Sequence, residues 1–211
     1  MTWAQLFSNH VKDLRISSTG QIFVIDIANT IQAFRSCESA GVLLHEGEGF
    51  LGNTNFLLPI PTSMTFGKNA AGRDGIYVSN SVPPNLLYFL EFNFDTLSIQ
   101  SVSVVPIRAT YIFRLETAPN GDILAVDLGQ SVVRFNILTE ETTTVLPFAI
   151  GIVDIFDISI SPECPYLFVS ANDNDEVWIC KDLSDSETCK PFTGSDLINP
   201  WGVDTGKSVG T

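Results

Sequence analysis

The sequence predicts an all-β fold: a β-propeller of about four four-stranded antiparallel blades, with the first strand of a further blade at the end. Three observations carry this. Residues 121–136 (GDILAVDLGQSVVRFN) read as two short β-rich runs, led by the turn pair Asn120-Gly121 and split by a polar turn after Asp127. The unit recurs at 20–34 (GQIFVIDIANTIQAF), 75–92 (GIYVSNSVPPNLLYFLEF) and 165–180 (PYLFVSANDNDEVWIC). The anchors Ile22, Ile76, Ile123 and Leu167 stand 54, 47 and 44 residues apart, in the range of blade repeats. A β-sandwich of short strands is the alternative, but it does not require internal copies.

Taken in order, residues 2–11 (TWAQLFSNHV) read as an outer strand of a preceding blade or as an arm, with Trp3 and Phe7 in need of burial. The lone His10 reads as structural or exposed. The first unit, about 12–50, has an inner strand at 14–16, a middle hairpin over 21–27 and 30–34, and an outer strand at 42–44, with His45, Glu46 and Glu48 in the loop beyond. Residues 51–60 form an ordered linker. The second unit, about 61–105, opens on an inner strand at 61–66, turns over a long polar stretch at 67–75, and continues through the aromatic run 86–94 to a half-buried alternating strand at 97–105. The third, about 107–148, supplies a strand at 111–117 before the hairpin and one at 142–148 after it. The fourth, about 152–193, starts on 152–160 (IVDIFDISI), and 198–211 supplies the first strand of a partial fifth. The whole, 1–211, is expected to be one partial propeller domain. Three explanations are open: a fragment of a longer chain, a small ring in which 2–11 and 198–211 share a blade, or assembly with a second chain.

Composition narrows the function classes. A 45% hydrophobic chain with 17% charged residues is a folded protein. Its net charge of −13 argues against nucleic acid and against anionic membrane surfaces. A soluble, self-repelling surface explains the acidity, and a bound cation or basic partner is the alternative. No 18-residue apolar run is present, and the first residues lack the apolar region of a signal peptide.

The compartment stays open. A hairpin turning at Ser184-Asp185 sets Cys180 opposite Cys189, close enough to bridge. A bridge leans extracytoplasmic, whereas two buried thiols would not. Cys37 and Cys164 have no evident partner, and no N-x-S/T sequon occurs.

Asp154 and Asp157 interrupt the apolar alternation of 152–160. Innermost strands line a propeller's channel, where carboxylates need a cation or hydrogen-bond donors; the alternative is that they reach solvent at a strand end. Residues 172–176 (NDNDE) are oxygen-rich like part of a calcium loop, but Asn and Asp are also what a turn needs.

The GxIYVxD-like cores, together with Pro200-Trp201-Gly202-Val203-Asp204, resemble blades of NHL-repeat and SMP-30/gluconolactonase-like propellers, which usually carry six blades. WD40 repeats fit less well, since no Gly-His opens a repeat and no Trp-Asp closes one. The resemblance implies two functions. One is a binding or interaction module, holding a protein or small-molecule ligand on a propeller face without chemistry. The other is a metal-dependent hydrolase of lactones or related esters, in which calcium or zinc polarises a carbonyl or activates water. Its ligands would come from Asp154, Asp157, Asp204 and Asn199. The metal-binding Glu of that family has no match, because Glu46 and Glu48 follow an outer strand and lack the family's next Pro and Trp. No Ser-His-Asp arrangement accompanies His10 and His45, the two histidines.

Overall fold

The computed structural model describes residues 11–37, 39–47, 58–82, 86–128, 130–146, 155–161, 166–171, 176–181 and 188–192. Among them the chain is an all-β propeller of four blades, each a four-stranded antiparallel sheet in simple chain order. The first blade is β1 (Val11–Ile16), β2 (Ile22–Asp26), β3 (Ile31–Phe34) and β4 (Val42–His45). The second is β5 (Pro61–Lys68), β6 (Asp74–Asn80), β7 (Leu87–Asn93) and β8 (Ser98–Val104). The third is β9 (Ile112–Thr117), β10 (Ile123–Asp127), β11 (Ser131–Phe135) and β12 (Thr142–Leu146). The fourth is β13 (Ile155–Ile160), β14 (Leu167–Ala171), β15 (Glu176–Cys180) and β16 (Cys189–Phe192). The stretches 2–10 and 198–211 lie outside the described residues. The chain divides into two compact units, Met1–Pro106 and Ile107–Thr211, each carrying two blades.

The second and third strands of each blade are flanked in the sheet on both sides and carry much of the buried core. In β2 every residue is buried, and Ile123 to Val126 of β10 are fully so. Alternation assigns the faces. In the first unit Phe23, Ile25, Ile31, Ala33 and Leu44 pack with Met64, Ile76, Val78, Tyr88 and Leu90 of the next blade. Phe23 is fully buried. It meets the rings of Phe66, Phe92 and Phe94 edge-on at centroid distances of 5.2, 5.3 and 6.0 Å, the arrangement aromatic quadrupoles prefer. In the second unit Leu124, Val126, Val132 and Leu146 pack with Ile155, Ile158, Leu167, Val169 and Ala171.

The structure departs from the sequence reading in two places. The expected turn over 67–75 shrinks to 69–73, because β5 continues through Lys68 and β6 begins at Asp74. Asn69 makes this possible: its Oδ1 accepts from the amides of Ala71 and Arg73 (both 3.0 Å), and Gly72 takes φ +76°. His45 belongs to β4, opposite Ile31, and is buried rather than in a loop. The outer strand β8 is half-buried as expected: Ile99 and Val102 pack against the core, while Gln100, Ser101, Ser103 and Val104 are exposed.

Cys180 and Cys189 sit opposite each other in the β15–β16 ladder and form a disulfide closing nine residues of sequence separation. Loop-closure entropy for so short a loop is worth about 2.5 kcal/mol. Reduction is therefore expected to lower the denaturant midpoint of the second unit and leave the first unchanged, as read by denaturation with and without reductant. Cys37 is free and exposed.

Candidate functional site

Each innermost strand carries a register shift against the second strand of its blade: at Val11/Asp13, at Pro61/Met64, opposite Val126/Asp127 and at Ile155/Asp157. These bulges recur at one end of every blade. Beside them, four residues hold the same structural position. Asp13 lies opposite Ile25, Arg114 opposite Val126 and Asp157 opposite Ser170. The amide of Ser63 donates to Ser79 Oγ (2.9 Å) at the matching place.

Within each unit these residues join neighbouring innermost strands. Asp13 is buried, and its Oδ2 accepts from Ser63 Oγ at 2.7 Å and from the Met64 amide at 2.8 Å. Arg15 Nε stands 3.4 Å from Asp13 Oδ1. In the second unit Arg114 Nε lies 3.7 Å from Asp157 Oδ1. The guanidinium also faces the rings of Phe113 at 5.4 Å and Phe156 at 5.9 Å. Asp157 Oδ1 further accepts from the Ile158 amide at 3.0 Å. The carboxylate for which the sequence invites a cation thus has an arginine beside it.

Asp154, Asp204, Asn199, His10, Glu48 and residues 172–175 lie outside the described residues. Glu176 lies on β15, where its Oε2 accepts from Trp178 Nε1 at 2.8 Å. Glu46 is exposed just after β4. Among the described residues no group of three or more His, Cys, Asp or Glu comes together to hold a metal. His45 is 3% exposed and neither ring nitrogen has a hydrogen-bond partner, so it serves no described nucleophile.

The Asp or Asn that closes the second strand is structural. Asp127 Oδ1 accepts from the amides of Thr110 and Tyr111 (2.8 and 2.9 Å), Asn80 Oδ1 from the Ile60 amide (3.2 Å), and Asp26 Oδ1 from the Thr30 amide (3.0 Å). In the third and second blades this side chain ties down the segment that enters the innermost strand. The sequence pattern displays these positions in every unit but the fourth, where Ala171 stands. Lys12, in the bulge of β1, donates to Asn29 Oδ1 at 2.5 Å and to Pro61 O at 3.3 Å. Burial lowers its pKa, opposed by the charge of Asp26.

At the opposite end of the innermost strands, the first unit has an open cleft of about 370 Å³ between the β1–β2 and β5–β6 turns. Ser17, Ser18 and Thr19 form one wall, Lys68 and Asp74 the mouth, and the half-buried Phe66 and Phe94 an aromatic floor. Gly67 and Gly75 oppose each other in the ladder, so that rung carries no side chain. Lys68 Nζ and Asp74 Oδ1 are 3.3 Å apart. Tyr77 holds this end in place by donating its hydroxyl to Lys68 O at 2.8 Å, and burial pushes its pKa to about 12. Sequence reasoning missed the cleft. The Ser-Ser-Thr turn and the paired glycines were visible, but nothing in the order of residues says that two turns so far apart in the chain face each other.

No protein-family model matches the chain, and no curated protein resembles it in sequence. Solved structures do. Virginiamycin B lyase from Staphylococcus aureus matches with a TM-score of 0.56 and 12% identity, over 89% of this chain and 57% of that one. An auxiliary nutrient binding protein from Bacteroides thetaiotaomicron matches with a TM-score of 0.58 and 13% identity, over 88% of this chain and 41% of that one. YCF48, solved bound to a D1 peptide, matches with a TM-score of 0.52 and 11% identity, over 91% and 53%. The shared fold is the propeller. At such identities the likeness is one of architecture alone, spread over several kinds of propeller and not specific to NHL or SMP-30 blades. The chain spans about half the length of these relatives.

Proposed function

We propose that the chain is a β-propeller binding module without chemistry of its own, holding a protein or small-molecule ligand on a face built from blade turns. One observation carries this reading: Asp13 with Ser63, and Arg114 with Asp157, join neighbouring innermost strands to each other, while a recess of ligand size stays open between turns. Two of the similar structures support it by their names, one a nutrient binding protein and one bound to a peptide. The disulfide fits an extracytoplasmic setting. Among the described residues no helix is long and apolar enough to cross a membrane. The acidity of the chain weighs against a nucleic-acid partner.

The competing reading is a lactone hydrolase of the SMP-30/gluconolactonase kind, with calcium on Asp154, Asp157 and Asp204; it rests on strand motifs. Calcium separates the two, because a ligand that binds the native state raises its melting temperature. Added calcium at about 5 mM is expected to leave Tm within about 1 °C, and simple lactones to hydrolyse no faster than in buffer. A rise of several degrees that is lost in Asp157→Asn, together with lactone turnover, would overturn the binding-module reading.

A further inference from the structure

We infer that the cleft between the β1–β2 and β5–β6 turns binds a neutral, hydroxyl-rich six-membered ring, a pyranose sugar. This rests on the binding-module reading and gives it a ligand class.

Charge is the first ground. The two ionic side chains at the mouth, Lys68 and Asp74, are of opposite sign and 3.3 Å apart. An anion would meet Asp74 and a cation would meet Lys68, so neither sign is favoured. A hydroxyl can donate to the carboxylate and accept from the ammonium at once, without separating them. The net charge of −13 disfavours an anion further.

The walls are the second ground. Phe66 and Phe94 stand at 6.0 Å and 62° to one another. Both rest edge-on against Phe23 at 5.2 and 6.0 Å, which fixes their rings before any ligand arrives. Rigid aromatic carbon suits the C–H face of a pyranose. The facing wall is made of hydroxyls. Ser17 and Thr19 both donate to Gln21 Oε1, and Gln21 Nε2 in turn reaches Phe94 O at 3.5 Å. The hydroxyl wall and the aromatic floor are thus joined by one glutamine. A ligand with one apolar face and one polar edge matches both. A peptide's apolar side chain would match the floor but not this polar wall.

Size is the third ground. The cleft holds about 370 Å³, near the lower end for ligand sites, which suits one or two sugar rings and not an extended polymer. At Gly75 the place of a side chain is taken by the Phe89 ring and the Leu90 carbonyl, so the lining at the Gly67–Gly75 rung is backbone.

The test is ligand-observed saturation-transfer NMR on the full chain. The probes are the methyl α- and β-pyranosides of glucose, galactose and mannose, each titrated to about 50 mM with melting curves in parallel. The variants are Ser18→Trp, which fills the cleft from an exposed turn position, and Lys68→Met with Asp74→Asn, which removes the charged pair. Saturable transfer from at least one pyranoside is expected, falling at least about fivefold in Ser18→Trp while Tm in the absence of sugar is unchanged. Saturable binding that persists in both variants would overturn the assignment to this cleft, leaving the binding-module reading intact. Absence of transfer from every pyranoside would overturn the sugar inference itself. The binding-module reading is judged separately, by the calcium and lactone measurements.

Discussion

Phe23→Ala is expected to lower the unfolding free energy of the first unit by about 4 kcal/mol, within the range for removing a buried ring. Phe23 is fully buried and three other phenylalanine rings meet it edge-on. Those three cannot all move inward, because each sits on strand or turn backbone of the second blade, so a cavity remains. Its neighbours lose dispersion and quadrupole contacts as well as buried area. Urea denaturation followed by far-UV circular dichroism measures the loss, and Phe23→Leu, which refills part of the volume, should cost about half as much. If alanine cost less than about 1 kcal/mol, the packing of these two blades through Phe23 would be refuted.

Asp13→Ala should cost about 3 kcal/mol, for a different reason. The carboxylate bonds the Met64 amide and the Ser63 hydroxyl, both buried, and lies beside Arg15. Alanine leaves buried donors unanswered and an arginine without its carboxylate. Asn keeps an acceptor oxygen in place but loses the charge, so Asp13→Asn should retain more than half of the lost stability. Equal loss in both variants would show that the charge beside Arg15, and not the two hydrogen bonds, dominates.

Much of the fold was legible because a blade repeats its own grammar. Each copy of the run at Ile22, Ile76, Ile123 and Leu167 became the second strand of a blade, flanked on both sides in its sheet and therefore written in apolar residues. Bulges are not written this way. Nothing in VKDLRI or PTSMTF marks the extra residue, since a bulge comes from how a strand fits its neighbour and not from its own alternation. Strand limits near turns were hard to read for a similar reason. Polar residues such as Lys68 and Asp74 extend β5 and β6 because Asn69 closes the turn tightly. Asp157 stood out correctly as a polar interruption of an innermost strand, but its neighbour Arg114 lies 43 residues earlier. Sequence shows that such a carboxylate needs a partner; only the packing of adjacent strands shows that an arginine is there. Asp13 passed unremarked in a strand of mixed polarity, although the same logic applies to it.

The single position shared by Asp13, Ser63, Arg114 and Asp157 has diverged from blade to blade, and this makes the order of the blades matter. In one unit an acid meets a hydroxyl and an amide; in the other a base meets an acid. A tandem copy of the fourth blade inserted after itself would seat aspartate beside aspartate, and a tandem copy of the third would seat arginine beside arginine. Both juxtapositions repel at close range. An array grown by duplicating either blade would therefore need a compensating substitution at this one position before the new neighbours could settle together.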